Sequence, residues 1–96
     1  MSYEDYSLNA KVRILLVRKG LDLTRLEYGV TNGVVYLTGT LRTSNLQVLQ
    51  DATESRLQEA ALAAWLERTL KQMGGVRDVV FRLDRVKKVG FRWRTR

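Results

Sequence analysis

The last ten residues of this 96-residue chain, Lys87-Lys88-Val89-Gly90-Phe91-Arg92-Trp93-Arg94-Thr95-Arg96, interleave cations with aromatic rings. In an extended strand side chains alternate. Arg92, Arg94 and Arg96 then project to one side, Phe91 and Trp93 to the other. The planar guanidinium donates two parallel hydrogen bonds to a phosphate. Aromatic rings insert at a membrane interface or stack on bases. Each cation close to an anionic bilayer contributes roughly 1 kcal/mol. Lys87, Lys88, Phe91, Arg92, Trp93, Arg94 and Arg96 therefore read as a site for an anionic surface. Two other readings of the same residues stand beside it. Phe91 and Trp93 fold back on the domain as an added edge strand, or the run is a solvated terminal segment.

The charge of the chain concentrates in this run. Residues 1–84 hold eleven Lys/Arg against ten Asp/Glu, whereas residues 85–96 hold six basic residues and no acid. The sequence contains no cysteine and no histidine. That removes disulfides, thiolate chemistry, the commonest general base and the commonest metal ligand. The ten carboxylates show no metal-ligand spacing or Ca²⁺ loop. The expectation is a protein that is not an enzyme and needs no cofactor. The acidic start and a longest apolar run of seven residues, Ala60–Leu66, lack the pattern of a secretory signal or a membrane span. The expected location is the cytoplasm, peripheral at the inner membrane face.

The rest of the chain must position that run. Leu8, Val12, Leu15 and Leu16 recur at helical spacing, giving a first helix from Glu4 to Lys19 that Gly20 ends. Leu26, Tyr28 and Val30 alternate before Asn32-Gly33, and Val35, Leu37, Gly39 and Leu41 alternate after it. Asn-Gly suits a two-residue turn with positive φ at both positions. The result is a hairpin of strands 25–31 and 34–41. A second helix starts near Ser55, where Ser55-Arg56-Leu57-Gln58 fits a capping box, and stops at Gly74-Gly75. Ser44-Asn45-Leu46-Gln47 fits the same box, but one helix from 45 to 73 would be about 42 Å long and overhang the domain. Leu62, Leu66, Leu70 and Met73 should meet the sheet. A third strand, 76–83, carries Val79, Phe81 and Leu83 in alternation.

The order αββαβ gives an α+β fold: a three-stranded mixed sheet with two helices packed on one face. Strands two and three, joined through a helix, run parallel. Residues 1–86 form this single domain and 87–96 a basic aromatic tail. Gly33 serves the turn, Gly75 the helix stop, and Gly39 lets a helix approach the inner face of strand two. The outer face carries Arg25, Glu27, Thr31, Tyr36, Thr38, Val80 and Arg82. Two further apolar stripes, Leu57, Ala61 and Trp65 on helix two and Tyr6, Ala10, Ile14 and Val17 on helix one, should meet where the helices lie side by side. A homo-oligomer interface is the alternative.

The pattern Val30-x-x-Gly33-x-Val35-x-Leu37-x-Gly39-x-Leu41, with Gly75-Val76-x-x-Val79-Val80-x-x-Leu83 after the second helix, resembles the BON domain family of bacterial proteins. The likeness spans residues 8 to 86. The stretch between Gly39 and Gly75 is longer than the family's, and Phe81 replaces a small polar residue. The resemblance implies a non-catalytic binding module with membrane, lipid or cell-envelope partners. The leading expectation is thus peripheral contact with anionic lipid through the tail. The alternatives are sequence-independent nucleic-acid binding, the weaker one because no GxxG loop or aromatic RNP pair is present, and protein assembly through a partner protein or a homo-oligomer.

Overall fold

Asn32 and Gly33 take positive φ, 51° and 77°, the pair of left-handed conformations that a I′ turn requires. The turn joins β1 (Leu26–Thr31) to β2 (Val34–Gly39), with Val30 opposite Val35 and Tyr28 opposite Leu37. These contacts belong to a computed structural model that describes residues 3–42 and 52–95, with side chains from 52 to 57 and at 95 left aside. Val76 and Arg77 lead into β3 (Asp78–Leu83), which lies parallel to β2 and places Val79 beside Val35. The sheet order is β1-β2-β3. Leu26, Val30, Val35, Leu37, Val79 and Leu83 are buried on one face. Glu27, Thr31, Tyr36, Thr38 and Arg82 stay exposed on the other.

Helix α1 (Tyr3–Arg18) buries Leu8, Val12 and Leu16 and packs along β1. It ends in a Schellman motif: Gly20 turns left-handed at φ 80°, and the Leu21 amide reaches back to the Leu16 carbonyl at 3.1 Å. Helix α2 (Ala52–Gln72) buries Ala63, Leu66 and Leu70, which join the α1 and sheet residues in one core.

Four expectations are corrected. The backbone is already helical at Ala52, so Ser55–Gln58 lies inside α2 rather than at its start; Ser44–Gln47 lies outside the described residues. The core stripe of α2 centres on Ala63, while Leu62 and Met73 are only half-buried. Gly39 does not make room for a helix. Its φ is 117°, and a Cβ there would collide with the Arg25 carbonyl oxygen of the neighbouring chain segment. Nor do the secondary stripes meet. Tyr6, Ile14 and Val17 are 68%, 52% and 55% exposed. What reaches α2 is Lys19, whose ammonium sits 4.4 Å from the centre of the Trp65 ring.

One side chain sets the rotation of α1. Asp5, buried in its first turn, accepts hydrogen bonds from the Asn32 amide at 2.8 Å and the Gly33 amide at 2.9 Å. A hairpin turn leaves these donors without ladder partners, and a carboxylate is a strong acceptor for them. Asp5→Ala should lower the unfolding free energy in urea by about 3 kcal/mol, because two amides lose a charged acceptor. Asp5→Asn, with one acceptor oxygen, should fall between the two.

Candidate anionic-surface site

The basic run is a folded hairpin. After the Asp84-Arg85 bend, β4 (Val86–Val89) and β5 (Arg92–Thr95) pair antiparallel, with Lys88 opposite Trp93 and Lys87 opposite Arg94. Gly90 and Phe91 form the turn. Gly90 has φ 62° and Phe91 lacks a positive φ, the pattern of a II′ turn, which takes glycine first. The hairpin forms its own two-stranded sheet rather than an edge strand of the main one, and it lies against α2.

Strand alternation sorts the predicted residues onto two faces. Val86, Lys88 and Trp93 face the domain. Val86 is buried. The Trp93 ring meets Phe81 edge-on, centroids 4.8 Å apart and planes at 78°, a geometry that aromatic quadrupoles favour. Lys88 donates a 2.7 Å hydrogen bond to Glu67 Oε2 on α2. Lys87, Val89, Arg92 and Arg94 form the outer face, all exposed, and Phe91 at the tip is 100% exposed. Arg96 lies outside the described residues. The structure therefore brings Lys87, Phe91, Arg92 and Arg94 together on one free surface. It withdraws Lys88 and Trp93 to hold that surface in place.

The electrostatics of the two faces differ. Inside, Glu67 carries Lys88 and, at 3.7 Å, Lys71. Burial alone would raise the Glu67 carboxyl, but the hydrogen bond and charge of Lys88, with the charge of Lys71, outweigh it and hold its pKa below the ordinary glutamate value. Trp93 Nε1 is buried with no partner in full hydrogen-bond geometry, though it lies near enough to Glu67 to favour the charged carboxylate. Outside, Lys87 and Arg94 stand directly opposite each other, an arrangement that destabilises a strand pair. Among the described residues neither they nor Arg92 form an ion pair.

A second anchor escaped the sequence reading. Glu59 of α2 is 2% exposed and pairs with Arg85 at 3.1 Å and Arg42 at 4.0 Å. Arg85 leads into β4, so a buried charge pair fixes the base of the hairpin. The signal was present: Glu59 falls in register with Ala63, Leu66 and Leu70 on the buried stripe.

Glu67 makes hairpin docking sensitive to acid. A carboxyl whose pKa falls on folding adds stability that is full above its unfolded value, near 4.5, and is lost as pH drops through the lower folded value. Titration from about pH 6 to about pH 3 should move the Trp93 indole N–H resonance before the Val35 amide responds. Glu67→Gln should remove that early step and lower stability by about 1 kcal/mol. Comparison of the chain with protein-family models, with curated proteins and with solved structures finds no match, so the reading of this hairpin rests on its own geometry.

Proposed function

We propose that this domain is a non-enzymatic binding module of BON type that docks on anionic membrane lipid through the tip and outer face of the β4–β5 hairpin. The observation that carries this reading is a fully exposed Phe91 at the end of a braced hairpin, flanked by Lys87, Arg92 and Arg94, which have no acidic partner among the described residues. An exposed phenylalanine is stabilised by entering the interfacial region of a bilayer, and phosphate headgroups relieve the repulsion between Lys87 and Arg94. Val89, 47% exposed, adds apolar area beside the tip.

Attachment of this kind is peripheral. No helix among the described residues is long and apolar enough to cross a membrane. The proposed place of action is the cytoplasmic face of the inner membrane. Nucleic acid fits the surface less well. Trp93, the larger ring, is packed on Phe81 and leaves only Phe91 to stack on a base.

Co-sedimentation with vesicles tests the proposal. The protein should bind vesicles containing phosphatidylglycerol, bind phosphatidylcholine vesicles far less, and lose affinity as salt rises. Replacing Lys87, Arg92 and Arg94 together with alanine should weaken binding on the order of 100-fold, at roughly 1 kcal/mol per cation. Phe91→Ser should weaken it about tenfold by removing the buried ring. Equal binding to both vesicle types, or a triple variant that binds like the parent, would count against the lipid reading. Tighter binding to a single-stranded RNA than to the vesicles would favour nucleic acid instead.

A further inference from the structure

Helix α1 is apolar on two opposite faces. Asp5, Leu8, Val12 and Leu16 are turned into the core. At about 100° per residue, Tyr3, Tyr6, Ala10, Ile14 and Val17 fall on the far side. Ala10 is exposed, and the four larger side chains are 82%, 68%, 52% and 55% exposed in chain order. A surface helix ordinarily carries one apolar stripe, turned to the core, and a polar opposite face; a second stripe on the solvent side is surface for a partner to bury. We infer that this outer stripe is an interface with a second copy of the same chain, the two α1 helices packing antiparallel across a two-fold axis at Ala10.

The order of side chains along the stripe singles out a second copy. Tyr6 and Ile14 lie four residues either side of Ala10, and Tyr3 and Val17 lie seven. When the helix is laid antiparallel on itself about residue 10, each tyrosine therefore meets an aliphatic side chain. Alanine meets alanine at the centre, where the helices approach most closely. An isologous contact needs such self-complementarity. A parallel pair would instead set tyrosine on tyrosine and leave a gap beside each Ile14.

The charges at the margins agree. On one flank Glu4 of each copy comes level with the end of the partner helix that carries Arg18. On the other, Arg13 comes level with the partner's Tyr6, within reach of a cation–π contact. The antiparallel arrangement also sets each helix N-terminus beside a C-terminus, which the macrodipoles favour. Lys11 lies near the axis in both copies and opposes the contact. The interface is small. A helix about 24 Å long and about 10 Å wide offers well under the roughly 800 Å² per partner of a standard interface. The dimer is therefore weak and concentration-dependent.

Sedimentation equilibrium from about 10 µM to about 1 mM should show a monomer–dimer equilibrium. Ala10→Arg should shift it to monomer while far-UV circular dichroism and the Tm stay unchanged, since position 10 faces solvent. The register has its own test, because the chain contains no cysteine. Ala10→Cys should cross-link to itself with a short bismaleimide. Tyr3→Cys alone should not, whereas a mixture of Tyr3→Cys and Val17→Cys should. A strict monomer at the highest concentration, a dimer untouched by Ala10→Arg, or self-linking of Tyr3→Cys would overturn the inference. So would monomers whose vesicle binding is abolished by Ala10→Arg, since the stripe would then be covered by lipid.

Discussion

The position of α1 rests on one carboxylate. Asp5 holds two adjacent amides of the β1–β2 turn, and this contact spans the first helix and the most local element of the fold. The hairpin twists as its I′ turn dictates. A helix tethered at its first turn to the end of that hairpin has little freedom left to rotate. Leu8, Val12 and Leu16 follow Asp5 at helical spacing and fall on the sheet, while Tyr6, Ala10 and Ile14 fall outward. Two hydrogen bonds from the turn amides to Asp5 thus agree with the more apolar stripe of the helix, Leu8, Val12 and Leu16, in turning the same side of α1 to the core.

A parallel device operates at the other end of the chain. Glu59 and Glu67 both project from α2 toward the basic C-terminal segment, the first buried under Arg85 and the second bonded to Lys88. Each carboxylate gives up solvation for two cationic partners, Arg85 and Arg42 or Lys88 and Lys71, so the net gain in stability is small. Their effect is on geometry. They select which cations of the segment turn inward. The remaining cations are left crowded on the outer face, where Lys87 opposes Arg94 across the ladder. Local repulsion of this kind persists only where the rest of the structure over-determines the hairpin, and here Trp93 on Phe81 does so.

The β1–β2 hairpin and the parallel β2–β3 pairing were legible because their signals are local and redundant. Asn32-Gly33, alternation on both sides and a helical crossover all agree. The tail was less legible. Its alternation of arginine and aromatic residues was visible, and folding back was one of the readings, but Gly90-Phe91 as a glycine-first two-residue turn was not used. Phe81 was the second clue: it is a large aromatic side chain on the third strand, and in the structure it is the surface on which Trp93 lands. The core stripe of α1, with Leu8, Val12 and Leu16, was read correctly, but the second stripe was given a partner it does not have. Period 3.6 identifies an apolar face but not what covers it, and the acceptor role of Asp5 has no sequence pattern. Glu59 was missed because a carboxylate on a buried stripe reads as solvated until its arginines, Arg42 and Arg85, are found far along the chain.

At the C-terminal end, charge is divided between the two faces of one hairpin, with Lys88 held by Glu67 on the inner face and Lys87, Arg92 and Arg94 exposed on the outer. With no histidine in the sequence, the usual switch near neutral pH is missing. In the proposed attachment, salt and the density of anionic groups opposite the outer hairpin face would tune the contact. Acid acts through Glu67, by loosening the brace. In the proposed attachment, a loosened hairpin would lose the rigid presentation of Phe91, so the apolar and electrostatic parts of the contact would separate. That separation would follow from the placing of Glu59 and Glu67 on the inner side of the hairpin, on α2.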